Sequence, residues 1–566
     1  MLSPTFFLLI SSALVGFTAG NNITFDIALV PAIQVALPAF TLSSVVKLPG
    51  SFLNETLQTV SPGSNFTGFE DGNGLIAHSG ERVVGVVDPQ TGETTFYPNY
   101  EALEPIIGPT GENNATYINN QAIFPQDDTV VNAISGLTLY SAVHFRNGTE
   151  PQPEPWIYHV VAQRLVSVEN TSFPILGPGS TAILGFGAKG TLVSLNYLWH
   201  PAKQSTTVSP LSVKEIYTAI TAQLQPAASF GPLNVTSVDI SYYDSGSKFI
   251  QPVYAFTATR RTSGNITEDV TISGYVPIGK SALEPLPDLT TPPKTIPPVV
   301  PSPNSQKSRT RSLISRIFGN LYKRGPTVTV GRYVIRDSQK EWVTSAHNFW
   351  SNLGSSTVNF VNAQYYWAYS WLYTTNKEQF VNSVNIALTE AHGNWHLFET
   401  SGSGDFVTIN DIPSLDIPAT GFGPGAGGHL AYWVIHSCEV IPSETDYPGQ
   451  PYHSFDYWWS IFNGLHAVMG YRTEMYINDG VTTPFAKAIS KGVAVVPAWM
   501  SAVLNDKAWY SSSSKYTQTY FDGNRNIKEP FGRASSITVC GHTNDLVWNL
   551  ENLGRPGSLC EWWYNN

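Results

Sequence analysis

VNIALTEAHG (Val384–Gly393) and LAYWVIHSCE (Leu430–Glu439) follow one pattern. Each opens on a short apolar run of the kind that forms a buried strand. Each then ends in a polar pair, His392-Gly393 in the first and Ser437-Cys438 in the second. Both patterns set a reactive side chain just past the C-terminal end of a strand, the edge where open α/β sheets bind ligands.

The sequence around them alternates strand and helix. TVTVGRYVI (Thr327–Ile335) alternates like a strand, and Ser338 with Glu341 forms a capping box for a helix. Trp342, Ala346, Phe349, Trp350 and Leu353 fall on one face of that helix, and Gly354 is placed to end it. STVNFVNA follows, and further helices are predicted over Tyr457–Val468 and Pro484–Ser490, the latter stopped by Gly492. The alternation predicts an α/β open sheet with helices on both faces over 327–566.

The half before it reads differently. RVVGVVDPQTGETTFY (Arg82–Tyr97) predicts a hairpin, and TLVSLNYLWHP a similar unit. Ser212 and Glu215 form a second capping box, opening a helix whose apolar face is Val213, Ile216, Tyr217, Ile220 and Leu224. Strands around VDISYY and PVYAFTA follow. Region 21–284 is thus expected to be a mainly-β α+β unit. Its strand–strand–helix–strand–strand order resembles PepSY-like and cystatin-like modules, which implies a propeptide role, packing on and blocking the second half.

Eight prolines over 285–303 predict an extended linker. Six basic residues follow, ending in Lys323-Arg324. That pair reads either as a dibasic processing site or as the end of a solvated basic linker, with Pro326 counting against cleavage. The linker is taken as 285–326.

Composition narrows the function classes. The chain has 566 residues, 42% hydrophobic and 13% charged, with formal net charge −11. It suits two or three globular domains and lacks the basic balance that nucleic-acid binding needs. Residues 1–20, with an apolar run from Phe6 to Phe17, read as a signal peptide, and no later run is long enough to span a bilayer. Eight sequons, at Asn22, Asn54, Asn65, Asn114, Asn147, Asn170, Asn234 and Asn265, all precede residue 270. A secreted, extracellular glycoprotein is expected. Of three cysteines, Cys540 and Cys560 are expected to pair as a disulfide, leaving Cys438 as a free thiol.

An imidazole beside a thiol favours the thiolate and can protonate a leaving amine. An apolar strand ending in His-Gly, then another ending in Ala/Ser-Cys, resembles the caspase, legumain, gingipain and separase superfamily of cysteine peptidases. The His-to-Cys spacing is 46 residues, close to the roughly 50 of caspases. Ser437-Cys438-Glu439 is similar to the Ala-Cys-Glu of legumains, whereas the caspase Q-A-C-R-G is absent. The resemblance spans about Thr327 to Asn505 and also takes in a secreted family of largely uncharacterised proteins. It implies a caspase-like fold, an endopeptidase made as a zymogen and a peptide or protein substrate, without cofactor or metal. Cys438 would be the nucleophile and His392 the general acid/base. The backbone N–H groups of Gly393 and Cys438 would form the oxyanion hole.

Other readings compete. His436 should share a strand face with Cys438 and is a rival partner for the thiol, and Glu439 is a second supporting residue. Glu390, Glu399 and Asp405 are candidates to orient His392. His392 and His396 have helical metal-pair spacing, but the strand-like run before them argues against a metal site there. The glycines of Gly421–Gly428 read as a mobile loop beside the site. Thirteen of fifteen tryptophans follow residue 324. They leave open an inactive caspase-like secreted binding or cell-wall protein with an aromatic groove.

Overall fold

A computed structural model describes residues 22–565, apart from 108–123, 262–268, 288–295, 303–325, 410–420, 447–454, 507–517 and breaks of six residues or fewer. The signal peptide, Ser338, the basic run, Lys323-Arg324 and the sequons Asn114, Asn147 and Asn265 lie outside the described residues.

Two β units form the first half. In one, β1 (Leu37–Leu42) pairs with a later strand, and α1 (Gly50–Val60) covers the other. The second unit takes in β2 (Leu75–Ser79), β3 (Arg82–Val87), β4 (Thr94–Phe96), β5 (Thr138–Phe145), β6 (Glu154–Val168), β7 (Ser180–Phe186) and β8 (Leu192–Trp199). The hairpin read at 82–97 is present, with Val87 opposite Thr94. β9 (Ala202–Val208), α2 (Val213–Ala228), β10 (Leu233–Asp244), β11 (Phe249–Arg261) and β12 (Asp269–Pro277) complete the half. The capping box is formed: the Ser212 N–H donates to Glu215 Oε2 at 2.9 Å, and the Glu215 N–H to Ser212 Oγ at 3.3 Å. Ile216, Ile220 and Leu224 lie one turn apart, so α2 buries that stripe against Val235, Tyr254, Phe256 and Val276.

The second half contributes β13 (Thr327–Val334), α3 (Lys340–Ser351), β14 (Asn359–Trp367), β15 (Ile386–Glu390), β16 (Tyr432–His436), α4 (Asp456–Ile461), β17 (Ala467–Tyr471), α5 (Thr482–Lys491), α6 (Val495–Leu504), β18 (Ala534–Val539) and β19 (Ser558–Asn565). β14, β13, β15, β16 and β17 are neighbours in that order and all parallel. β18 and β19 then add antiparallel. The result is a mixed α/β architecture dominated by one large mixed sheet.

Three of the helices, α3, α5 and α6, gather over one face of the parallel sheet. α3 packs on α5, and α5 on α6, over the face that carries His436. The Trp433 face is covered by Tyr373, Phe398 and Phe422, with the end of the short helix α4 packed on the Gly421–Phe422 segment. The helix expected over Tyr457–Val468 stops at Ile461, and by Ala467 the chain has become β17. Asn463 and Gly464 intervene, and Gly464 has φ +97°, which an α-helix excludes. Gly492 ends α5 as predicted, in the left-handed conformation at φ 97°.

The sheet continues across the linker between the halves. β19 pairs antiparallel with β5 from Ser558↔Phe145 to Asn565↔Thr138. His144 Nε2 lies 3.2 Å from Glu561 Oε2 in this seam, both buried, and the His144 ring stacks on Phe455 at 3.5 Å. One hydrophobic core includes Ile76, Leu139 and Ile157 together with Trp342, Trp433 and Trp562. At the opposite edge the proline-rich segment contributes a single extended residue. The Val299 N–H donates to the Tyr365 carbonyl at 3.0 Å, and the Trp367 N–H to that of Val299 at 3.1 Å.

Cys540 and Cys560 form the expected disulfide, with Cα atoms 5.0 Å apart, and Cys438 is buried and outside it.

The β5–β19 ladder makes a prediction. Cleavage after Arg324 is expected to nick the protein without releasing either half. The two pieces should co-elute in native size-exclusion chromatography and separate only in denaturant. Independent elution of the C-terminal piece would contradict this.

Candidate functional site

The parallel register sets the site. Glu390 on β15 is level with His436 on β16, an offset of 46 residues. His392 and Cys438 each stand two residues past that last pair, just beyond the C-terminal ends of the two strands. Both residues are 6% exposed. Trp342 of α3 packs edge-on against both His392, at 5.4 Å between ring centroids, and His436, at 6.1 Å. The two histidines therefore share the helical face.

Beneath them is a buried polar chain. His436 Nδ1 lies 2.7 Å from Glu390 Oε2. Ser345 of α3 donates to Glu390 Oε1 at 2.7 Å and lies 2.9 Å from Thr482 Oγ1 of α5. Burial pushes the Glu390 carboxyl above the ordinary carboxylate range, opposed by the His436 imidazole and the Ser345 hydroxyl. Among the three acidic candidates to orient His392, Glu390 is thus committed to His436. The same bond occupies His436 Nδ1 and leaves Nε2, so His436 stands beside His392 as a second candidate partner for the thiol. That Nε2 is buried without a hydrogen-bond partner among the described residues.

The thiol has a partner that the sequence did not signal. The Met475 backbone N–H approaches Cys438 Sγ at 3.4 Å, and the Met475 carbonyl lies 3.9 Å from it. The two contacts hold the sulfur against the Met475 backbone. Just past the cysteine, Glu439 has φ 48°, sparsely populated by non-glycine residues. The Glu439 N–H donates to the Thr473 carbonyl at 3.0 Å, which secures this abrupt exit from β16. Backbone strain of this kind clusters at functional sites.

Gly393 opens a hairpin, Gly393–Asn394 against Leu397–Glu399. The Glu399 N–H donates to the His392 carbonyl at 2.8 Å. By antiparallel alternation the neighbouring Gly393 N–H points away from the hairpin partner, free in direction for an oxyanion. The close approach that requires glycine here is not to a substrate. A Cβ at 393 would collide with Ser437 Oγ and the Cys438 carbonyl, so the glycine lets the two strand ends touch. His396 lies in the turn of this hairpin with φ 56°, so no helical metal pair with His392 exists.

Two further expectations change. Gly421–Gly428 is a tightly packed turn: a Cβ at Gly423, whose φ is 109°, would meet the Gly464 and Leu465 backbone at 2.5 Å. It leads into the N-terminal end of β16, opposite Cys438. Trp342, Trp433, Trp458 and Trp499 are fully buried, so these four cannot line an aromatic groove.

Comparison with known proteins adds little chemistry. A family model described as "Domain of unknown function (DUF6345)" matches residues 340–548, which include both motifs. No curated protein matches the chain. A solved structure of an uncharacterized protein from Eubacterium rectale ATCC 33656 aligns at 10% identity over 44% of this chain and 84% of that one, with a TM-score of 0.24.

Two predictions follow the geometry. Gly393→Ala is expected to destabilise the fold by about 1–3 kcal/mol, as forced overpacking does; urea denaturation measures it, and an unchanged midpoint would contradict it. For Glu390, the raised folded pKa means that the native chain holds the proton more tightly than the unfolded one. Its contribution is full below the unfolded value of about 4.3 and is lost as pH rises through the folded value. Glu390→Gln should therefore flatten the pH dependence of stability above about pH 4. A slope identical to that of the parent would refute the assignment.

Proposed function

We propose that the protein is a cysteine endopeptidase of the caspase–legumain type, with Cys438 as nucleophile and His392 as general acid/base. The observation that supports this reading is the parallel register of β15 and β16, whose last pair, Glu390 and His436, leaves His392 and Cys438 each two residues beyond the C-terminal edge.

In the proposed reaction His392 takes the Cys438 proton, and sulfur attacks the scissile carbonyl. The Gly393 and Cys438 N–H groups stabilise the oxyanion. His392 then protonates the leaving amine, and water hydrolyses the thioester to free the acid and restore the thiol. The Glu390–His436 pair acts beneath the dyad as a support that fixes the strand ends. Its hydrogen bonds to α3 and α5 tie the site to the helical layer.

We read the protein as secreted and glycosylated. The sequons within the described residues, Asn22, Asn54, Asn65, Asn170 and Asn234, are all exposed, as glycan attachment requires. Cleavage at Lys323-Arg324 would yield a two-chain enzyme, because β19 keeps its pairing to β5. The N-terminal half then serves as a permanent part of the fold and regulates only by where it lies. The non-catalytic alternative, a binding protein on the same scaffold, would draw its aromatic surface from the partly buried Trp350, Trp367 and Trp371 and not from the four buried tryptophans.

The test is alkylation of the purified protein by an iodoacetamide probe, mapped by mass spectrometry. Cys438 is expected to label fast, and His392→Ala to slow it sharply. In a peptide-library screen, His392→Ala should lower kcat/KM by at least about 100-fold, the lower bound for loss of a general acid–base. An unlabelled Cys438, or labelling indifferent to His392, would sink the peptidase reading.

A further inference from the structure

A second cluster of metal-type side chains lies at the other end of the parallel strands. His466, just before β17, meets His542, Asp545 and Glu551 from the segment between β18 and β19. One ligand atom from each lies within 4.8 Å of all the others. His466 Nδ1 is 2.6 Å from Asp545 Oδ2, and His542 Nδ1 is 3.0 Å from the same oxygen.

Both ring nitrogens of His466 are held. Its Nε2 lies 2.9 Å from the Glu551 backbone carbonyl. A carbonyl only accepts, so Nε2 carries the hydrogen. Nδ1 faces a carboxylate oxygen at 2.6 Å, a contact that a proton closes. Zinc, bound at about 2.0–2.1 Å from nitrogen and 2.0–2.2 Å from oxygen, would take the place of that proton with the two atoms somewhat further apart. A ring N–H given to a backbone carbonyl, with the other nitrogen turned to the metal, is the arrangement typical of a metal-bound histidine. The second carboxylate, Glu551, adds negative charge to the same cluster.

We propose that His466, His542, Asp545 and Glu551 bind one zinc ion. Two imidazoles and two carboxylates suit a borderline divalent cation and match the four-coordinate sites zinc prefers. His466 is fully buried, His542 and Asp545 are partly buried and Glu551 is exposed, so the site has a fixed base and an open entry side.

The role is structural. Residues 540–557 contain no helix or strand, yet they supply contacts on which the core depends. The Tyr432 hydroxyl donates to the Leu546 carbonyl at 2.7 Å, and the Val495 N–H at the start of α6 donates to the Asp545 carbonyl at 2.9 Å. The Cys540–Cys560 disulfide fixes this segment at its ends. The zinc would fix its middle to the start of β17, far from Cys438 along the strands.

The experiment uses the full chain carrying Cys438→Ala, so that the thiol cannot bind metal. Zinc content after dialysis is measured by mass spectrometry, and thermal unfolding is followed with zinc and with EDTA. We expect one zinc per chain and a higher Tm with zinc than with EDTA. His542→Ala and Glu551→Ala, both at the accessible side, should weaken zinc binding by more than about 100-fold, beyond the loss of an outer hydrogen bond. They should melt like the EDTA-treated parent, which shows that they fold. Parent protein that takes up no more zinc than the variants, or whose Tm zinc does not raise, would overturn the proposal. His466 would then be an imidazolium paired with Asp545.

Discussion

The parallel pairing of β15 with β16 is the constraint from which the site follows. Neither His392 nor Cys438 is within a strand, so neither is fixed by a ladder of its own. Each is fixed because the strand before it is buried on both faces and locked in register by its neighbours. A slip of one residue would turn every side chain to the other face, exchanging Trp433 with His436's neighbours and emptying both cores. The buried Glu390–His436 bond adds a polar condition to the same register, since an unpaired carboxyl at that depth is costly. Hydrophobic packing and one hydrogen bond therefore specify a single alignment, and the candidate dyad inherits it.

The two halves are joined by the same physics that holds a single sheet together. The β5–β19 seam satisfies the backbone groups of both strands and buries His144, Glu561 and Trp562. Removal of either side would expose an unpaired strand edge and the Glu561 carboxyl, which burial holds above the ordinary carboxylate range. A linker rich in proline looks like a domain boundary in the chain, but in space it only spans one continuous structure.

What was legible in the sequence was what local chemistry encodes. The capping box at Ser212, the stop at Gly492, the hairpin at 82–97 and the two strand-then-reactive-residue motifs all rest on neighbours within a few residues. The disulfide was legible because only one cysteine pair was close in sequence. The helix past Ile461 was misread because its apolar residues suit a buried strand equally well. The Met475 contact to the thiol, the commitment of Glu390 to His436 and the collision that makes Gly393 obligatory are long-range, and no periodicity signals them. The 46-residue spacing is a consequence of the register, not its cause: an insertion in the intervening turns would change the count and leave the strand ends level.

The extended residue at Val299 has a consequence for the chain's life outside its folded state. β14 is the outermost parallel strand, half exposed along its length and rich in aromatic residues, a composition that can recruit other chains into cross-β stacks. Val299 occupies the backbone groups around Tyr365 and Trp367 from prolines' midst, and prolines cannot extend a ladder any further. The segment that connects the halves thus doubles as a terminator, ending the sheet where a second molecule would otherwise continue it.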